Sequence, residues 1–156
     1  MTAYFILKYL HLMGASVLLG TGAGIAFFML MAHRTRDAAL IAHTARIVVI
    51  ADWLFTASAV VVQPLTGAAL AHLTGQPLFG GWLGLSLLLY GVTGAFWLPV
   101  VWMQARMRDL AVTAARSGEP LPPAYDRLFR LWFVCGFPAF GAVLGIIALM
   151  VVKPAF

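Results

Sequence analysis

The sequence predicts an all-α integral membrane protein, an antiparallel four-helix bundle with proline-kinked helices. Three observations predict it. First, 63% of the residues are hydrophobic and only 10% are charged, against about a half and about a quarter in soluble chains. Second, the mean hydropathy of +0.96 marks more apolar surface than a soluble chain of this size can hide. Third, four apolar segments, at about 4–32, 47–73, 82–103 and 128–152, each exceed the ~20 residues that span the hydrocarbon core as a helix. Strands are excluded by this length, because open sheet edges cannot face lipid. The length suits one domain over residues 1–156.

The connections are short, so neighbouring helices are expected to pack antiparallel. Residues 33–46 carry Arg34, Arg36, Asp37 and Arg46, and the uncharged TGQPLFGG stretch reads as a tight turn. Residues 104–127 carry Arg106, Arg108, Arg116 and Arg127, with a Pro-rich SGEPLPP that cannot continue a helix. All eight arginines flank or occupy the first and third connections, whereas Lys8 and Lys153 stand near the opposite ends. The positive-inside rule puts both arginine-rich loops in the cytoplasm and both termini on the far side of the membrane. The first apolar run is too long for a signal peptide and its positive charges follow it, so it is expected to remain as a helix. Tyr4, Tyr9, Trp82, Trp97, Trp102 and Tyr125 lie mostly near segment ends, as an aromatic belt does. The net charge of +5 is thereby explained by topology, and no nucleic-acid partner is expected. The single cysteine, Cys135, excludes an intrachain disulfide.

Within the spans, Gly20 and Gly24 share a face of the first helix, a spacing that admits a neighbouring backbone closely or offers a flat wall to a planar cofactor. Pro64, Pro99 and Pro138 each free a carbonyl one turn earlier, at Val60, Ala95 and Val134. Gln63 and Thr66 flank Pro64 and are candidates to satisfy freed groups.

Polar groups at membrane depth are costly, so each one invites a functional reading. His11 lies inside the first helix, His72 near the end of the second and Met150 near the end of the fourth. His–His and His–Met pairs ligate haem iron, so His11, His72 and Met150 are the candidate metal ligands. The alternative is a histidine hydrogen-bonded to a neighbouring helix, with His72 interfacial. Asp52 is expected to pair with Arg46, Arg106 or Arg130, or else to serve as a proton-relay or substrate-anion site. Arg106 and Arg130 are also candidates for tetrapyrrole propionates or lipid headgroups, because arginine forks match carboxylates and phosphates. His33 and His43 are expected to be solvated. Phosphate-loop, metalloprotease, paired-cysteine and nucleophile-elbow motifs are absent.

The stretches LKYLHLMGASVLLGTG, TARIVVIADWLFT, VVQPLTG, FWLPVVWMQARMRDLA and RLFRLWFVCGFPAF resemble the bacterial predicted integral membrane proteins of domain of unknown function 2269 over essentially the whole chain. That resemblance implies the architecture and an inner-membrane location, with no activity attached. The opening LK-x-LH-x-M-G also resembles the bacterial membrane protoporphyrinogen oxidases and the copper-resistance D type membrane proteins. The oxidase resemblance implies b-type haem, carried over to His11 alone.

Three functions follow as expectations. The first is a small inner-membrane protein holding haem b between its helices for redox chemistry. The second is a non-catalytic accessory subunit or scaffold, packing small-residue and aromatic faces against a larger membrane complex or a second copy. The third is a small-ion or metal carrier using Met13, Met29, Met103 and Met150 as soft ligands. Membrane lipids are partners in every case.

Overall fold

The computed structural model describes residues 1–155. It contains four long helices and, among the described residues, no strand. Helix α1 spans Thr2–Thr35, α2 Ala38–Leu73, α3 Gly81–Ser117 and α4 Pro123–Val152, and each is long and apolar enough to cross a membrane.

The helices run well past the hydropathy boundaries at the arginine-rich end. Between α1 and α2 only Arg36 and Asp37 turn the chain. Arg36 takes the left-handed conformation at φ 57°, and Asp37 caps α2 by accepting from the N–H groups of Ala39 (2.8 Å) and Leu40 (3.1 Å). The first turns of α2 are amphipathic: Ile41, Ala42, Ala45 and Val48 are buried while His43 and Arg46 face outward. The extension of α3 follows the same rule, burying Met107, Ala111 and Ala114 and exposing Arg106, Asp109 and Arg116. It stops at Gly118, whose φ of 70° suits a residue without Cβ. Pro123 opens α4 at a position where its missing N–H costs nothing.

These extensions build the core. Every member of the buried hydrophobic cluster lies toward the arginine-rich end, with Met29, Ile41, Met107 and Tyr125 fully enclosed. Arg36 closes that end on Asp126 with a two-pronged ion pair at 2.6 and 3.1 Å, whose hydrogen bonds hold the guanidinium above its ordinary pKa. His33 is part of this packing and not solvated as expected. Its ring stacks on Phe129 at 3.6 Å between centroids.

Contacts between helices fix the antiparallel register. Thr66 meets His11 across α1 and α2, Asp52 meets Trp97 across α2 and α3, and Leu89 approaches Gly145 across α3 and α4. Carrying this register around the bundle puts His33 level with Phe129, and their rings do touch. Away from the arginine-rich end the packing is looser. The C-terminal half of α2 lies on α1, while α3 lies along α4. The side-chain pairs between α1 and α4 (Arg36–Asp126, His33 with Tyr125 and Phe129) are all at the closed end.

Gly20 and Gly24 do not mediate packing inside this chain. A Cβ at either would meet nothing within 4 Å.

Candidate functional site

One face of α2 carries most of the buried polar residues, with Ser86 and Gln104 on α3. Asp52, Thr56, Gln63 and Thr66 are all buried. The ADWLFT segment is wound as a π-helical turn over Asp52–Thr56, with the Ala57 N–H bonded to the Asp52 carbonyl. Such single-turn insertions shift the register of a helix face and recur at functional sites. Here the turn keeps Asp52 and Thr56 inward on the same side as Gln63.

Each polar group has been placed by a neighbour. The indole Nε1 of Trp97 donates to Asp52 Oδ1 at 3.4 Å, so this tryptophan belongs to the interior and not to the headgroup belt. The expected Asp52–arginine pair does not form. Among the described residues the salt bridges are Arg36–Asp126 and Arg108–Asp109, and Arg46, Arg106 and Arg130 are exposed. Long arginine arms gain more from headgroup water than from reaching inward.

The Pro64 kink is satisfied from a different helix than its flanking residues suggested. The Tyr90 hydroxyl donates to the Val60 carbonyl that proline leaves without its helical partner. Gln63 Nε2 instead donates to the His11 carbonyl at 2.9 Å. Gly14 permits this approach, because a Cβ there would lie 3.0 Å from that nitrogen.

His11 is held on one side. Its Nδ1 lies 2.9 Å from Thr66 Oγ1, and its ring crosses Gly67, where a Cβ would come within 3.2 Å of Cε1. The Thr66 hydroxyl also lies 2.8 Å from Val62 O and 3.2 Å from Gln63 O. When it donates to one of these carbonyls it accepts from His11 Nδ1–H, and Nε2 then keeps its lone pair. This is the tautomer in which a second-shell partner prepares Nε2 to bind a metal.

The remaining candidates divide by depth. In the bundle register Met150 is level with His11 to within about a residue. Thr66 lies fourteen residues past Asp52, and Leu83 fourteen before Trp97. Leu83 in turn stands six before Leu89, as Val151 stands six after Gly145. Met150 is also eighteen residues from the buried Trp132, five full helical turns, so both share one face of α4. His11 bears the same relation to Met29 on α1. His72, by contrast, is exposed and six residues beyond Thr66, about 9 Å of helix rise. Arg130 adjoins Phe129, which touches His33, twenty-two residues or about 33 Å along α1 from His11. Arg106 sits at a similar depth. One tetrapyrrole cannot be ligated by His11 and have its propionates on these arginines. The methionines form no row either, since Met29 and Met103 are packed in the core at the closed end.

Four apolar membrane-length helices, a polar stripe buried along one of them and an arginine-rich closed end define an integral membrane helical bundle. The chain belongs to the family described as predicted integral membrane protein (DUF2269), whose model matches residues 5–154. No curated protein and no solved structure matches it.

Proposed function

We propose that the protein is a small haem-binding redox protein of the inner membrane, with His11 as an axial ligand and Met150 as its partner. The observation that carries this reading is the Thr66 anchor on His11 Nδ1, which occupies one ring nitrogen and leaves Nε2 available to ligate. Met150 is favoured over His72 because it shares the depth of His11 and the inward face of α4. A haem bound there would supply one-electron transfer. The protein's own part is to hold the imidazole through Thr66 and Gly67 and to keep the site within an apolar span. Arg106 and Arg130 are then left to topology and to anionic headgroups, with the arginine-rich end in the cytoplasm and both termini outside it.

Purification in detergent from haem-replete cells, followed by a reduced-minus-oxidised spectrum, tests the reading. A Soret and an α band are expected in the wild type, lost in His11→Ala and shifted in Met150→Ala. A wild-type preparation without either band overturns it. Reporter fusions at both termini test the orientation.

A second reading, an accessory subunit or scaffold, is favoured by Gly20 and Gly24, which no part of this chain covers. Stoichiometric co-purification with another membrane protein would support it.

A further inference from the structure

The buried polar groups of α2 and α3 form a column that crosses the span, and it is independent of whether haem is bound. On α3, Tyr90, Trp97 and Gln104 recur every seven residues and so share a face. Tyr90 reaches Val60 and Trp97 reaches Asp52. The same register puts Gln104 level with Ala45, one residue from the exposed Arg46. From Ala45 to Thr66 is twenty-one residues, about 31 Å of helix rise, which matches the ~30 Å hydrocarbon thickness.

Among the described residues two amide oxygens of this column, Gln104 Oε1 and Gln63 Oε1, have no hydrogen-bond partner, and the buried Thr56 hydroxyl stands beside the Asp52 carboxyl; the order Gln104, Thr56, Gln63 follows the column. Their residues are 2%, 6% and 7% exposed. Leaving such a group unpaired costs about 1–3 kcal/mol, and buried polar groups of native proteins are paired with protein or with ordered water. An apolar packing residue would serve better at each position if nothing polar passed by. The unpaired oxygens are spaced along the membrane normal on either side of Asp52 and Tyr90. Asp52 is the one carboxyl within the apolar segments 4–32, 47–73, 82–103 and 128–152, and among the described residues no cation lies within ion-pair distance of it.

We propose that this column is a hydrated proton path, with Asp52 as the group that takes up and releases the proton. A proton entering at the Thr66–His11 level passes Gln63 and Tyr90 to water held near Thr56 and adds to a carboxylate oxygen of Asp52, forming its O–H bond. It leaves by breaking that bond toward water at Gln104, at the cytoplasmic end. No electron moves and no co-reactant is consumed. The membrane potential drives the transfer.

The test uses the purified full chain in lipid vesicles enclosing a pH-sensitive dye, with a potassium gradient and valinomycin to set an inside-negative potential. The wild type should acidify the interior well above protein-free vesicles. Asp52→Asn should lower that rate by at least an order of magnitude. Thr56→Val, which keeps shape and removes the hydroxyl beside Asp52, should lower it comparably and serves if Asp52→Asn does not fold. Asp109→Asn, an exposed partner of Arg108, should leave it unchanged. Wild-type vesicles that acidify no faster than empty ones overturn the proposal, and so does undiminished flux in folded Asp52→Asn or in Thr56→Val.

Discussion

Tyr90 and Pro64 should be energetically coupled although they lie on different helices. Pro64 cannot donate to the Val60 carbonyl, and the Tyr90 hydroxyl takes over that duty. Tyr90→Phe orphans the carbonyl. A buried unpaired group costs about 1–3 kcal/mol, while interhelical hydrogen bonds in membranes average about 0.6 kcal/mol and reach about 1.7. The expected loss is therefore about 1–1.5 kcal/mol. Pro64→Ala restores an N–H at position 64, and the Val60 carbonyl regains its own helical donor. In that background Tyr90→Phe should cost only about 0.5 kcal/mol, giving a coupling of about 0.5–1 kcal/mol across the cycle. The four proteins can be unfolded in mixed micelles of rising dodecyl sulfate fraction and followed by circular dichroism. Equal costs of Tyr90→Phe in both backgrounds, within about 0.3 kcal/mol, would refute the assignment of Tyr90 as the substitute donor.

The same unfolding assay checks four further expectations. Asp37→Ala removes the oxygen that caps two N–H groups of α2 and should cost about 1 kcal/mol. Asp126→Asn breaks the Arg36 pair, but those side chains are 35% and 54% exposed, so the loss should stay under about 1 kcal/mol and shrink further in salt. Gly20→Ala meets nothing and should stabilise α1 by about 0.5–1 kcal/mol. Gly67→Ala should show no such gain, because its methyl displaces the His11 ring. It should also weaken any haem signal by about 10–100-fold, as loss of an orienting partner does.

The number of helices and their antiparallel order were legible because hydropathy over twenty residues measures what lipid requires. The helix ends were not. Ile41, Ala45 and Met107, Ala111 sit in amphipathic extensions whose arginines lower the average, so a criterion for lipid contact stops short of a helix that continues into the headgroup region. His11 stood out as a polar residue in an apolar run. Its anchor, Thr66, is 55 residues away and becomes visible only with the register. Asp52 was recognisable as costly, but the arginine expected beside it follows from charge alone and ignores the pull of water on long side chains. Nothing in IADWLFT announces the π turn. The seven-residue spacing of Tyr90, Trp97 and Gln104 was readable, and it went unused because two of the three are aromatic and pass for belt or packing residues.

The two halves of the bundle divide the work between them. At the arginine-rich end large side chains interlock in an apolar core that also takes in the Gln104 amide, and the helices outrun the membrane to gain that burial. At the other end burial falls mainly to small and polar residues: Ala59, Gln63, Thr66, Ala71, Ser86 and Ala142. Helices that diverge from a fixed base can separate at their free ends with little loss of packing, since few contacts exist there to be broken. Glycines at positions 22, 94 and 141, on three different helices, face no neighbour within 4 Å of an added Cβ, so a larger side chain could be started there without a clash. A bundle selected only for rigidity would place Leu or Ile at such positions and an apolar residue at Asp52. Retaining the unpaired amide oxygen of Gln63 and an anchored imidazole in that setting, with a carboxyl at its edge, lowers stability, and that cost is intelligible if the loose half is where a ligand, a proton or a partner is received.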